Sequence, residues 1–231
     1  MAKKINSSNK CLALTTLWVN QFQLYNKFSF FSKNEFFLLF IIKFLIIQLN
    51  FTKNLITKTQ SLIFSTQLLL IFSLVSMNND FFLKLYQLFI GIWNRNFSSR
   101  LSFFLLFYVE KNHYLSAQFL KSYILYLITD NVNSPKKIFN LLVLLLTKTK
   151  NQSIISISKS GFRKITFIGF KIQLKGRYES TKNEMSNYLF IKDGKNNSTN
   201  LNITIDFINH LFYTKLGISN LKIWLFYSTK F

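Results

Sequence analysis

The sequence predicts an α+β fold, and three features of the C-terminal half carry this prediction. Residues 169–177, 201–207 and 221–226 alternate apolar and polar side chains, which is the period of a strand with two different faces. Residues 114–128 and the stretch after Pro135 are apolar enough for two buried helices. Most of the glycines lie among the strands, where turns are needed. Helices packed on one face of a small sheet give a two-layer domain.

The strand at 169–177 has a basic face. Alternation places Phe170, Ile172 and Leu174 on one side, and Lys171 and Lys175 on the other with Gln173. The same rule sends Leu201, Ile203, Ile205 and Phe207 inward from the second strand, and Leu221, Ile223 and Leu225 inward from the third. Trp224 is expected to pack in the core rather than to stack on bases. One basic strand face is therefore left for phosphates.

Composition indicates an anionic partner. The chain has 231 residues with 29 Lys and Arg against 8 Asp and Glu, a net charge of +21. Because the positive residues are spread along the chain, nucleic acid is favoured over an acidic membrane surface. The many Phe, Ile, Lys and Asn residues fit A/T-rich codons of an organelle genome. The N-terminus, MAKKINSSNK, resembles neither a signal peptide nor an arginine-rich transit peptide, so synthesis inside the organelle is expected.

A helix with an unusual first turn is predicted after residue 133. Ser134 suits the N-cap and Pro135 the first helical position. Lys136 and Lys137 then fall in the first turn, where the helix dipole disfavours cations. An external anion would explain them. Ten basic residues and no acidic one lie between Asp130 and Glu179. They are Lys136, Lys137, Lys148, Lys150, Lys159, Arg163, Lys164, Lys171, Lys175 and Arg177.

Catalytic chemistry has little support. One cysteine excludes an intramolecular disulfide, and two distant histidines do not form a zinc site of ordinary spacing. No nucleophile, phosphate-loop or dinucleotide motif is present. A group-II-intron maturase fragment would need a carboxylate cluster for metal, and none is visible. We therefore expect a protein that is not an enzyme and has no cofactor.

Two apolar runs leave a membrane protein as the alternative. Residues 36–51 and 62–77 are each shorter than the roughly 20 apolar residues that a membrane helix needs, and Lys43 interrupts the first. The preferred interpretation is a buried helix at 36–51 followed by strands within 54–75, with no membrane span. The alternative is an organelle membrane protein with two short spans and a basic soluble domain.

The C-terminal motifs resemble the small-subunit ribosomal protein S-three family. Its strand G-[IV]-K-[IV]-x-[IV]-x-G-R is similar to Gly169–Arg177. Its D-I-D-Y-like strand and its final strand look like Thr204–Phe207 and Gly217–Leu225. Upstream, Tyr108–Ile124 is similar to the link between the family's two domains, and Lys4–Trp18 is similar to its opening.

The resemblance implies three parts. These are an N-terminal basic segment (1–35), a degenerate KH-like domain (36–108), and a C-terminal α+β domain (109–231) with a basic, flexible insertion near 147–165. In a KH fold a GxxG loop clamps nucleic-acid backbone. Here Met77-Asn78-Asn79-Asp80 stands in its place without glycine, and Asp80 would repel phosphate.

The resemblance also implies a function. The chain is expected to be a structural constituent of the head of the mitochondrial small ribosomal subunit, with the mitochondrion favoured over the plastid. Expected partners are small-subunit rRNA, mRNA where it enters the subunit, and neighbouring head proteins. Candidate rRNA contacts are Lys3, Lys4, Asn6, Lys10, Lys171, Lys175 and Arg177. Candidate mRNA contacts are Lys136 and Lys137; Asn140 stands where a further basic residue is expected, so unwinding of mRNA should be weaker.

Overall fold

The chain is mixed α/β, as the sequence predicts for an α+β protein. The computed structural model describes residues 20–22, 39–44, 47, 55–63, 67–76, 79–96, 102–129, 134–158, 161–178, 185–200 and 202–229. Two compact units hold these residues: an N-terminal unit over Trp18–His113, and a C-terminal unit that includes Tyr114–Phe231. Each unit has its own sheet and its own helices.

The N-terminal unit contains a four-stranded sheet of order β1-β2-β3-β4. Its strands are β1 (Asn20–Phe22), β2 (Ile56–Ile63), β3 (Gln67–Leu74) and β4 (Ser102–Val109). Strands β2 and β3 pair antiparallel, whereas β3 and β4 pair parallel. Helix α1 (Asn79–Asn96) joins the parallel pair, which needs such a crossover.

One side of α1 buries an apolar stripe. Phe82, Leu85, Phe89 and Trp93 recur at helical spacing and are all buried. They share a core with residues of β3 and β4, and Trp93 stacks on Phe103 with ring centroids 5.1 Å apart. This stripe fixes the helix on the sheet.

The described parts of the two apolar runs form a helix and a strand. Residues 39–44 are helical, and Ile41 belongs to the buried core of the unit. Half of the run 62–77 lies in β3, where alternate residues Leu68, Leu70 and Phe72 are buried. The expected strands within 54–75 are therefore present as β2 and β3. Among the residues that the structure describes, no helix has both the length and the apolarity to cross a membrane.

The C-terminal unit places two helices with a five-stranded antiparallel sheet. The helices are α2 (Ala117–Thr129) and α3 (Pro135–Lys148). The strands are β5 (Ser153–Ser158), β6 (Gly161–Gly176), β7 (Asn187–Gly194), β8 (Ile203–Thr214) and β9 (Gly217–Thr229). Their order is β5-β6-β9-β8, and β7 also pairs with β6.

The core of this unit lies on one face of the sheet, which we call the inner face. Phe170, Ile172 and Leu174 of β6 have no exposed surface, nor have the matching residues of β9. A bulge between Phe167 and Gly169 also turns Phe167 inward, so that its ring lies parallel to that of Phe170. The helices close the layer with Leu120 and Ile124 of α2 and with a stripe on α3: Ile138, Phe139, Leu142 and Leu146.

The expected start of α3 is confirmed: Ser134 occupies the N-cap and Pro135 begins the helix, although the Ser134 side chain makes no capping hydrogen bond. The described part of 147–165, expected as a basic insertion, contains the end of α3 and strand β5, which pairs antiparallel with the start of β6. The side of β8 that was expected to face the core is wrong: Phe207 is 51% exposed and lies opposite Trp224, whereas Ile208 is buried opposite Ile223.

Candidate nucleic-acid interface

The predicted basic strand face exists and extends over four strands. We call it the outer face, and it comprises the residues of β6 to β9 that alternate with the buried ones. Because Phe170, Ile172 and Leu174 are fixed in the core, the strand period forces Lys171, Gln173 and Lys175 outward. The central outer-face residues are Lys171, Gln173, Lys175, Tyr188, Phe190, Lys192, Phe207, Asn209, Lys222 and Trp224.

Register brings cations and aromatic rings side by side on this face. Lys171 lies directly opposite Lys192 on one neighbouring strand and opposite Trp224 on the other, and Trp224 in turn lies opposite Phe207. The Lys171 ammonium is 4.6 Å from the centroid of the Trp224 ring and 5.3 Å from that of Phe190. Both distances are within the range of cation–π attraction. The ring contacts therefore hold this ammonium at the centre of the face.

The outer face carries positive charge without compensation. Lys171, Lys175, Lys192 and Lys222 lie on it, and none of its described residues is Asp or Glu. On β7 the one carboxylate, Asp193, belongs to the alternate set, and its Oδ1 pairs with the Lys150 ammonium at 2.8 Å. Like charges that face each other across strands destabilise a sheet. The Lys171–Lys192 pair is thus best satisfied by an anion.

Arg177 follows directly after the strand, at a position shaped by glycine. Gly176 has φ +144, and a Cβ there would lie 2.6 Å from the Cα of Ser219 on β9. Glycine therefore lets β6 and β9 approach where the sheet ends. Arg177 is half-buried at this edge.

The first turn of α3 forms a separate basic group. Lys136 and Lys137 are both exposed, and the first turn contains no acidic residue. The N-terminal end of a helix presents backbone N–H groups and a partial positive charge, which favour a bound anion and oppose cations. The arrangement predicted for these two lysines is present.

Several predicted positions lie outside the described residues. These are Lys3, Lys4, Asn6 and Lys10, together with Met77 and Asn78 of the segment in the place of the GxxG loop. The other two residues of that segment, Asn79 and Asp80, begin α1. Asp80 is exposed in the first helical turn, where its negative charge interacts favourably with the helix dipole.

Sequence reasoning missed half of the outer face. Phe190 and Lys192 went unnoticed because β7 was not recognised as a strand: its centre, YLFIKD, has four apolar residues followed by two charged ones and does not alternate. Trp224 was expected in the core, yet it is only half-buried and lies on the outer face. The signal was its position between Ile223 and Leu225, which have no exposed surface.

His210 does not belong to this interface. It alternates with Asn209 and therefore lies on the inner face, with its ring 4.9 Å from that of Phe212. Burial lowers the pKa of His210, and the positive charge of Lys121 on α2 lowers it further. A neutral imidazole on the inner face adds nothing to the positive charge of the outer face.

Fold and surface together define a class: a basic, two-unit α+β protein suited to an anionic partner. No family model matches the chain. Its sequence is 31% identical over 244 residues to the small ribosomal subunit protein uS3m of Chondrus crispus, and the match covers 100% of this chain and 95% of that protein. The chain therefore belongs to the uS3m family of mitochondrial small-subunit ribosomal proteins. The resemblance found in the sequence is confirmed, and so is the mitochondrial location.

Proposed function

We propose that this protein is a structural, non-catalytic constituent of the head of the mitochondrial small ribosomal subunit, and that it binds small-subunit rRNA through its C-terminal unit. The observation that carries the proposal is the outer face, where four lysines lie together and no described residue is acidic. A surface of this kind is stabilised when phosphates replace the counterions around it.

The geometry of β6 supports the proposed rRNA contacts. Lys171 and Lys175 project from the same side of the strand, and Arg177 lies just beyond its end. Each ammonium or guanidinium that meets a phosphate releases counterions, so that affinity falls with added salt. Lys3, Lys4, Asn6 and Lys10 are further proposed rRNA contacts on the strength of the family resemblance.

Lys136 and Lys137 are proposed to contact mRNA where it enters the subunit. Both side chains are exposed next to a helix N-terminus, whose backbone N–H groups and partial positive charge also attract anions. An RNA phosphate fits this combination. Asn140, one turn further along α3, is exposed and neutral. With two cations instead of three on this side of the helix, unwinding of structured mRNA should be weaker.

The N-terminal unit is proposed to be a degenerate KH-like domain that packs against neighbouring head proteins. Its described order is β1, a helical segment, the β2–β3 hairpin, α1 and β4. The segment Met77–Asp80, which stands in the place of the clamping loop, contains no glycine. The negative charge of Asp80 disfavours a phosphate there. The edge strand β4 exposes Phe104, Leu106 and Tyr108, which suits a protein neighbour better than RNA.

Sedimentation of detergent-solubilised mitochondria tests the proposal. The chain, followed by mass spectrometry, should migrate with the small subunit in magnesium and should leave that position in EDTA with high salt. Detergent should not change either result. A chain that stays in detergent micelles at the top of the gradient, and is absent from small-subunit fractions in both conditions, would overturn the proposal in favour of the membrane alternative.

A further inference from the structure

We propose that the outer face binds a single-stranded segment of RNA, with bases stacked on Phe190 and Phe207 and a backbone phosphate held between Lys171 and Lys192. This deepens the proposed rRNA contact and rests on it. It names the ligand class as unpaired nucleotides and adds three residues to the site, namely Phe190, Phe207 and Lys192.

The first argument is the exposure of two rings in a well-packed setting. Phe190 is 42% exposed and Phe207 is 51% exposed, although both lie within regular strands. Each is supported by a neighbouring ring. The ring centroids of Phe207 and Trp224 are 5.2 Å apart. Those of Phe190 and Tyr188 are 6.1 Å apart, and the two rings are nearly parallel, with an interplanar angle of 8°. Each ring is therefore held in place by its neighbour while about half of it stays exposed, and any base can stack on exposed aromatic surface.

The second argument is the position of the lysines relative to these rings. Phe190 lies next to Lys171 and Lys192 on the sheet. Phe207 lies opposite Trp224, and the Lys171 ammonium lies against the ring of Trp224. Lys171 and Lys192 face each other as like charges. A phosphate between them removes this repulsion. Because strands lie about 4.8 Å apart, the four strands span about 14 Å, which accommodates a short run of nucleotides.

The third argument decides between RNA and a protein partner. A protein that covered the two phenylalanines with apolar groups would also desolvate the four lysines around them, and buried unpaired charges are strongly unfavourable. RNA supplies the anion and the flat ring together. A duplex does not, because its bases are already stacked inside the helix. The combination therefore fits unpaired nucleotides.

The test compares three labelled RNA probes on the purified full chain. One is a single strand long enough to cross the four strands, one has the same backbone without bases, and one is a duplex. The variants are Phe190→Leu and Phe207→Leu, both at exposed positions where little core packing is lost. Phe104→Leu is the matched control, because Phe104 is also 42% exposed on a strand but lies in the N-terminal unit.

The proposal predicts that either outer-face variant weakens binding of the single strand by about tenfold, the order of magnitude for one base–aromatic stack. Binding of the abasic and duplex probes should not change, and Phe104→Leu should bind all three probes as the unchanged protein does. Unaltered thermal unfolding of each variant would show that binding, and not folding, was affected.

Two results would overturn the inference while leaving the rRNA contact in place. The first is equal binding of single-stranded and abasic probes, with no effect of either variant but clear weakening by Lys171→Gln. The second is loss of a neighbouring protein from subunits that carry Phe207→Leu, with RNA binding unchanged. Absence of salt-dependent binding to all three probes by the unchanged protein would instead contradict the proposed rRNA contact itself.

Discussion

The hydroxyl of Tyr227 donates a hydrogen bond to the backbone carbonyl of Leu115, 2.5 Å away and 112 positions earlier in the chain. Both residues are almost fully buried. Leu115 ends the short 3-10 turn that precedes α2, and Tyr227 lies near the end of β9. This bond therefore joins the start of the helical layer to the last strand, which also carries Lys222 and Trp224 of the outer face.

Removing this bond should destabilise the C-terminal unit. Tyr227→Phe keeps the ring against Phe167 but leaves the Leu115 carbonyl without its donor. An unsatisfied buried acceptor costs about 1–3 kcal/mol, and the free energy of unfolding should fall by this amount. Denaturant unfolding measures it. Tyr213→Phe is the control, because Tyr213 is 78% exposed and its change should have no effect.

The glycine that opens the strand motif should not tolerate a methyl group. Gly169 faces Gly194 across the β6–β7 pair, and a Cβ on Gly169 would lie 2.6 Å from the carbonyl oxygen of Asp193. Because the obstacle is backbone, the strands must separate. We expect Gly169→Ala to lower the free energy of unfolding by about 1–3 kcal/mol, the usual cost of overpacking.

Gly91→Ala provides the contrasting change for that experiment. Gly91 is exposed within α1, and a Cβ there would meet nothing within 4 Å. Alanine should stabilise the helix by about 0.8–1 kcal/mol. If both alanines shifted unfolding in the same direction, the close approach of β6 and β7 at Gly169 would be contradicted.

The salt dependence of rRNA binding should report the outer-face lysines. Lys171→Gln and Lys175→Gln should each weaken binding and lower the slope of log affinity against log salt by about one phosphate contact. Filter binding or fluorescence anisotropy over a salt series measures the slope. Lys84→Gln, an exposed change on α1, should leave it unaltered. Equal slopes for all three variants would place the contacts elsewhere.

The first turn of α3 should show opposite effects on stability and on function. Lys137 is exposed in a turn where cations are unfavourable. Lys137→Gln should raise the free energy of unfolding by about 0.3–1 kcal/mol. The same change should reduce cross-linking of mRNA to this peptide in assembled subunits. A variant that is more stable and cross-links mRNA normally would remove Lys137 from the proposed mRNA path.

Stability should depend on pH through His210. Burial and Lys121 lower the pKa of His210 in the folded protein below the value near 6.5 of a free imidazole. The unfolded chain therefore binds the proton more readily. Above the pKa that His210 has in the unfolded chain, the neutral imidazole costs the folded protein nothing. As the pH falls below that pKa, the free energy of unfolding decreases, because protonation favours the unfolded chain. His210→Gln should flatten the decline between pH 7 and the folded pKa; an unchanged pH profile would contradict the shift.

Period-two alternation predicted the core side of β6 and β9 because each strand has one face fully buried. It failed on β8, where Phe207 is exposed and Ile208 is buried. It also failed at Phe226, which was predicted outward but is buried opposite Gly169, a residue with no side chain to occupy that space. Such exceptions depend on the neighbouring strand, which one segment alone does not encode.

Half of the candidate site was beyond the reach of single-segment reasoning. The outward positions of Lys171 and Lys175 were predictable from the β6 sequence alone. Lys192 and Phe207 could be assigned to the site only once the cross-strand register was known. That register depends on the Gly169–Gly194 pairing and on the bulge at Phe167, which are tertiary features. Lys136 and Lys137 were predictable because the helix start signal at Pro135 is local.

Cross-linking in intact small subunits tests the central claim most directly, that the outer face lies against rRNA. Ultraviolet irradiation of purified mitochondrial subunits, followed by digestion and mass spectrometry, identifies peptides joined to RNA. Cross-links should fall within β6, β7 and β9, at or beside Lys171, Phe190 and Trp224. Cross-links confined to other parts of the chain, with these three strands recovered unmodified, would contradict the claim.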